Sequence, residues 1–140
     1  MAIFSFEPHS PELDAVNIAV SRLLRGAQHE LGFGQILEQC DVEFREADAG
    51  EDMGGTDYFV FRRGGNRELK LDVKASLTEI EKRHRTDNLP YAVRPDSSAI
   101  VHSGIEDREF ADSFFIPNEL AQQKAAKLEP LLELIERKVT

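Results

Sequence analysis

Gly54-Gly55-Thr56-Asp57-Tyr58-Phe59-Val60-Phe61-Arg62-Arg63-Gly64-Gly65-Asn66-Arg67-Glu68-Leu69-Lys70-Leu71-Asp72-Val73-Lys74-Ala75-Ser76 is the stretch whose reading decides the fold. Asp57 to Arg63 is aromatic and β-branched, which suits a strand. Glu68 to Ala75 alternates polar and apolar residues, which suits a half-buried strand. Between them, Arg63-Gly64-Gly65-Asn66 is turn chemistry, because glycine and asparagine tolerate positive φ. The stretch therefore predicts a β-hairpin.

Side chains alternate across a strand, so Leu69, Leu71 and Val73 point one way and Lys70, Asp72 and Lys74 the other. Asp57 opens the neighbouring strand, and a hairpin carries its carboxylate toward Asp72. Two carboxylates and an ammonium in one small space suit a hard divalent cation and a water. Alternation alone is also what an ordinary solvated strand face shows, since exposed Asp and Lys need no special explanation.

The chain has 140 residues, which suits a single domain over 1–140. Hydrophobic residues make up 41% and charged residues 31%, as in a soluble globular protein. No apolar run reaches the length of a membrane span, and the N-terminus lacks the basic and apolar regions of a signal peptide, so the expected location is cytoplasmic with no membrane partner. A single cysteine, Cys40, excludes an internal disulfide and a cysteine-based zinc site within the chain. It follows an apolar helical pattern and reads as a small core residue.

The net charge of −9 argues against a nucleic-acid partner, but its distribution softens the objection. Residues 1–60 hold three basic and twelve acidic residues, and residues 62–94 hold nine basic and five acidic ones. An acidic chain of this kind can still present one basic surface, and its affinity for nucleic acid is then expected to be modest and strongly salt-dependent.

Outward from the hairpin, Ser10-Pro11-Glu12-Leu13 reads as a helix start, with Ser10 as cap. Leu13, Val16, Val20, Leu23, Leu24, Ala27 and Leu31 recur at helical spacing and form a face fit for burial. The helix is expected to end or bend at Gly32-Phe33-Gly34, with a further turn or two to Cys40. Val42 to Ala47 reads as a strand, Asp48 to Gly55 as a loop, and Ser76 to Asn88 as a polar segment with a helix start at Leu77. Leu89 to Pro95 reads as irregular, Ser98 to His102 as a strand, and Glu106 to Ala111 stays unassigned. Ser113 to Ile116 reads as a short buried strand. Asn118 to Lys138 reads as a helix, with Asn118 as a candidate cap and Pro130 expected to kink or split it.

The order is thus α, β, β, β, α or loop, β, β, α, with Asp57 on the second strand and Asp72-Val73-Lys74 on the third. This resembles the PD-(D/E)XK nuclease superfamily, which includes restriction endonucleases, Holliday junction resolvases and repair nucleases. The resemblance covers about residues 13–117, and its motif is the three residues Asp72 to Lys74 with Asp57 ahead of them. Gly55-Thr56-Asp57 stands where the family name has Pro-Asp. The resemblance implies an α/β fold, a restriction endonuclease-like mixed sheet flanked by helices with an αβββαβ core, followed here by a C-terminal helix. It implies a metal-dependent DNA endonuclease that hydrolyses phosphodiester bonds with Mg²⁺ or Mn²⁺. Asp57, Asp72 and the main-chain carbonyl of Val73 would then hold the metal, and Lys74 would orient the attacking water and stabilise charge on the phosphate. A glutamate from the first helix joins the metal in many members; Glu30 is the candidate and Glu38 the alternative.

Lys82, Arg83 and Arg85 follow the motif and are candidates to grip DNA phosphates; so are Arg62, Arg63 and Arg67 at the hairpin tip. A solvated charge run is the other reading of the first group. Ser76 reads as a strand-end residue, and Glu51 and Asp52 as solvated loop acids. No histidine pair has metal-ligand spacing, and no Gly-x-x-x-x-Gly-Lys-Ser/Thr is present, so neither a zinc hydrolase nor a nucleotide cofactor is expected. A homodimer would match the two strands of a duplex, with the C-terminal helix as its candidate interface. The competing expectation is a catalytically inactive nuclease-fold module that binds nucleic acid or a protein.

Overall fold

The computed structural model describes residues 11–53, 55–84 and 89–139, with the side chains of all of these except 52, 53, 83 and 84. Ser10, the expected helix cap, lies outside them. The elements in chain order are α1 (Pro11–Glu38), β1 (Val42–Glu46), α2 (Ala49–Met53), β2 (Tyr58–Arg62), β3 (Glu68–Lys74), α3 (Leu77–His84), β4 (Tyr91–Val93), β5 (Ser98–His102), a 3₁₀ turn (Asp107–Phe110) and α4 (Asn118–Lys138). The fold is α/β: one mixed five-stranded sheet flanked by helices, closed by a C-terminal helix.

The sheet order is β1-β2-β3-β5-β4. The expected hairpin is present: β2 and β3 run antiparallel with Tyr58 opposite Leu71 and Val60 opposite Leu69. β5 then joins β3 in parallel, Asp72 beside Ile100 and Lys74 beside His102. A parallel partner needs a crossover, and the chain makes it through α3 and β4.

Partners across a sheet share a face. Tyr58, Val60, Leu69, Leu71 and Val101 point toward Phe33, Ile36 and Leu37 of α1 and Ala121, Leu128 and Leu132 of α4, forming the main core. The other face buries less: a small cluster of Ile80 of α3 against Ala92 and Ile100, and Phe59 of β2 apart from it. Asp72, aligned with Ile100, lies on this second, thinly covered face.

Several expectations are corrected. α1 does not end at Gly32-Phe33-Gly34 but runs unbroken to Glu38. Gly34 sits there because the helix and sheet touch: a Cβ on it would lie 2.5 Å from the Tyr58 hydroxyl oxygen. The buried part of α1 is His29 to Leu37, whereas Val16, Val20, Leu23 and Leu24 of the anticipated burying face are exposed. Helical spacing identifies a stripe, but only tertiary placement decides whether anything covers it. Asp48 to Gly55 contains α2 rather than being all loop. Leu89 to Pro95, expected to be irregular, holds β4. Ser113 to Ile116 is not a strand; Phe114 and Phe115 are exposed and Ile116 alone is buried. α4 starts after Pro117, which takes the cap position expected of Asn118, and Pro130 does not interrupt it.

Cys40 is half-buried and packs against the main core, as anticipated. Burial, with Glu129 nearby, pushes its thiol up to about 12. No helix among the described residues is long and apolar enough to cross a membrane.

Candidate active site

Asp57 immediately precedes β2, and its backbone N–H donates to the Leu71 carbonyl at 2.8 Å; Leu71 is already the partner of Tyr58, so this bond lies one residue off the β2–β3 register, which ends at Tyr58. The Asp57 carboxylate accepts the Val73 N–H at 2.7 Å. The N–H and C=O of one strand residue point the same way, so the Val73 carbonyl also faces the start of β2, where Asp57 sits. The hairpin therefore brings Asp57, Asp72 and the Val73 main chain to one end of the sheet.

Asp72 is 7% exposed, which for a carboxylate demands partners. Among the described residues it has two, both on Oδ2: the Arg94 guanidinium at 2.6 Å and the Lys74 ammonium at 3.5 Å. Lys74 thus stands beside Asp72 on the same strand face, as alternation predicts. Arg94 was not anticipated. It follows β4, whose three residues between two prolines give no strand signal, and the turn from β4 to β5 swings it back over Asp72. Gly55, at φ +88°, comes close to this group; a Cβ there would lie 3.4 Å from Arg94 Nη1 and 3.9 Å from Asp72 Oδ2. The glycine of the Gly55-Thr56-Asp57 lead-in thus combines a left-handed turn with room for the ion pair.

A cleft of about 540 Å³ opens at the same end of β3, lined by Val73, Lys74 and Ala75, by Arg22, Arg25 and Gly26 of α1, and by Glu79 of α3. Arg25 donates to the Ala75 carbonyl at 3.2 Å and to both Asp107 oxygens at 3.0 Å. Asp107 also accepts from His29 Nε2 at 2.7 Å, and this bond, ahead of the one from Arg25, holds its carboxyl below the ordinary value. His29 Nδ1 lies 2.6 Å from the Ser103 hydroxyl. Serine, histidine and aspartate in a line evoke a nucleophilic triad, but Ser103 is 2% exposed and its oxygen also accepts the Ile105 N–H at 3.1 Å. The line acts as a tie that holds α1 to the loop after β5, and so fixes one wall of the cleft.

The remaining candidates divide. Glu30 lies on the buried side of α1, where its backbone carbonyl accepts the Tyr58 hydroxyl at 2.6 Å; Glu38 is exposed in the last turn of that helix. Among the described residues no group of three or more His, Cys, Asp or Glu side chains is placed to hold a metal, so neither glutamate completes a three-carboxylate cluster with Asp57 and Asp72. Arg62 pairs with Glu136 at 3.2 Å and Glu133 at 3.8 Å on α4. Arg67 donates to the Val139 carbonyl, and only Arg63 of the three tip arginines projects, with Asp41 at 3.5 Å. All three sit at the opposite end of β2–β3 from Lys74, about 20 Å away along a seven-residue strand. Lys82 is exposed on α3; the Arg83 side chain and Arg85 lie outside the described residues. Ser76 accepts the Thr78 N–H at 3.2 Å and so starts α3, a strand-end role as expected. Glu51 grips Arg45 at 2.8 and 2.9 Å, and this bond leads the causes that lower its carboxyl to about 2.

No family model matches the chain, and searches of curated proteins and of solved structures find no significant match.

Proposed function

We propose that the chain is a metal-dependent DNA endonuclease of the PD-(D/E)XK type, its sheet being the restriction endonuclease-like core of that superfamily. The observation that carries this reading is the gathering of three side chains at one end of the β2–β3 hairpin: the Asp57 carboxylate accepts the N–H of Val73, the residue after Asp72, at 2.7 Å, and the Lys74 ammonium lies 3.5 Å from Asp72. The donor set fits the metal: two carboxylates and the Val73 carbonyl are all oxygen, the chemistry Mg²⁺ and Mn²⁺ prefer. Such an ion supplies Lewis acidity to water and phosphate.

The chain's own residues do the rest. Asp57 and Asp72 hold the ion against the sheet end. Lys74, tethered on the same strand, orients the attacking water and stabilises charge on the phosphate oxygens. The cleft admits the phosphodiester, with Arg22 on its α1 wall as a cation for a neighbouring phosphate. Affinity rests on this local basic surface within a chain of net charge −9, so it falls steeply with salt.

The test is cleavage of supercoiled, single-stranded and branched DNA with Mg²⁺ or Mn²⁺ by the wild type, Asp72→Asn and Lys74→Met. The reading expects cutting by wild type alone. A wild type inert on all three substrates, or variants that cut as well as it does, ends the enzyme reading.

A second reading is favoured by Arg94: a guanidinium already sits on Asp72, which suits a catalytically inactive module of the same fold that binds nucleic acid or a protein. This reading expects no stabilisation by Mn²⁺, whereas a bound ion at one hundred times its Kd adds about 2.7 kcal/mol.

A further inference from the structure

We propose that Arg94 is a resident counter-cation that competes with the divalent metal for Asp72, so that metal binding is coupled to release of the guanidinium toward substrate phosphate. This rests on Asp57 and Asp72 being the metal ligands. Asp72 is 7% exposed, and without metal its charge needs a permanent partner. Arg94 supplies it at 2.6 Å, and a guanidinium cannot relieve the conflict with an incoming ion by losing its proton. Apart from Asp72, the Arg94 guanidinium has one further contact among the described residues, and the residue's backbone is fixed by the turn. Its Nη1 lies 3.5 Å from the Ser98 hydroxyl, and its backbone N–H donates to the Ser98 carbonyl at 2.8 Å. Ser98 is in turn fixed by Asp96 at 2.6 Å. Lys74, at 3.5 Å, is the weaker neighbour.

A divalent ion at the same carboxylate would stand within a few ångströms of the guanidinium, and like charges at that range repel strongly where water is scarce. The Arg94 side chain is 22% exposed, so it has a route outward. A phosphate is the natural next partner, since the guanidinium fork matches phosphate oxygens as it matches a carboxylate. Metal and phosphate then favour each other's binding, because each draws the system from the same Arg94–Asp72 pair, and the coupling is reciprocal.

The experiment titrates Mn²⁺ into the full chain without nucleic acid, following free Mn²⁺ by electron paramagnetic resonance. Arg94→Gln should bind Mn²⁺ at least about tenfold more tightly than wild type, and Arg94→Lys, which keeps the charge, should stay near wild type. Asp72→Asn should abolish binding. Equal or weaker binding by Arg94→Gln, with binding still lost in Asp72→Asn, overturns the role of Arg94 and leaves the metal site standing. No binding by wild type or Arg94→Gln overturns both. Should Arg94→Gln not fold, the ¹⁵N–¹H signals of the wild-type Arg94 guanidinium decide the matter. They should shift on saturation with Mg²⁺, and a signal unchanged at saturation refutes the competition.

Discussion

Gly34 and Tyr58 should behave as one unit, and a double-mutant cycle measures it. A Cβ at Gly34 would lie 2.5 Å from the Tyr58 oxygen, 3.2 Å from Cζ and 3.4 Å from Cε1. The ring cannot retreat easily, because its hydroxyl donates to the Glu30 carbonyl at 2.6 Å and the residue is 1% exposed. Overpacking of this kind costs about 2–3 kcal/mol, while alanine in place of a helical glycine returns about 1 kcal/mol. Gly34→Ala alone should therefore destabilise by about 1–2 kcal/mol. Tyr58→Phe alone loses one hydrogen bond, about 1 kcal/mol. In the double variant the closest clash is gone and the helix gain remains, so the net change is about zero. The singles then sum to roughly 2–3 kcal/mol more than the double. The assay is urea denaturation of the four proteins, with stability read from midpoints at constant slope. Additivity within about 0.5 kcal/mol would refute the packing argument for the unbroken α1.

Other outcomes follow from single environments. Ile80→Ala should cost about 2–4 kcal/mol, since Ile80, 0% exposed, is the residue that anchors α3 to the sheet. Leu23→Glu, at a position 75% exposed, should change stability by less than about 0.5 kcal/mol; the same urea series checks both. His102 has its pKa depressed, first by burial, and its Nδ1 accepts the Gly104 N–H at 3.0 Å. The unfolded chain thus takes up a proton that the folded one resists. Stability should hold above the ordinary histidine value of 6.5 and decline as pH falls below it. His102→Gln should flatten that decline between pH 7.5 and 5.5. Cys40, with its thiol raised to about 12, should react with a disulfide reagent at pH 8 far more slowly in the native than in the urea-unfolded protein.

The parts of this fold that could be read from sequence are those where local pattern and tertiary role coincide. The hairpin was legible because Tyr58 to Arg62 and Leu69 to Val73 carry strand residues and Gly64-Gly65-Asn66 carries the turn. That Asp57 reaches the end of β3 that carries Asp72 and Lys74 was legible from the hairpin, but its off-register bond to Leu71 and its carboxylate's bond to the Val73 N–H were not. The burial of α1 was not legible. Its N-terminal stripe has regular apolar spacing yet stays exposed, and its buried segment contains two glycines that local propensity marks as breaks. β4 escaped notice because three residues between prolines carry no period, and with it went Arg94, the nearest cation to Asp72. The arginines of the hairpin tip read as free basic groups, but the return of α4 along the sheet draws Arg62 into pairs with Glu133 and Glu136. That encounter joins residues more than seventy positions apart, which no local pattern encodes.

The most direct test of the account is a crystal of the full chain soaked in Mn²⁺ and measured at a wavelength where manganese scatters anomalously. The account predicts a peak between Asp57 and Asp72, about 2.2 Å from an oxygen of each and beside the Val73 carbonyl, with Arg94 turned away from Asp72. A crystal saturated with Mn²⁺ that shows no peak there, or shows the Arg94–Asp72 pair intact with manganese elsewhere, would contradict it.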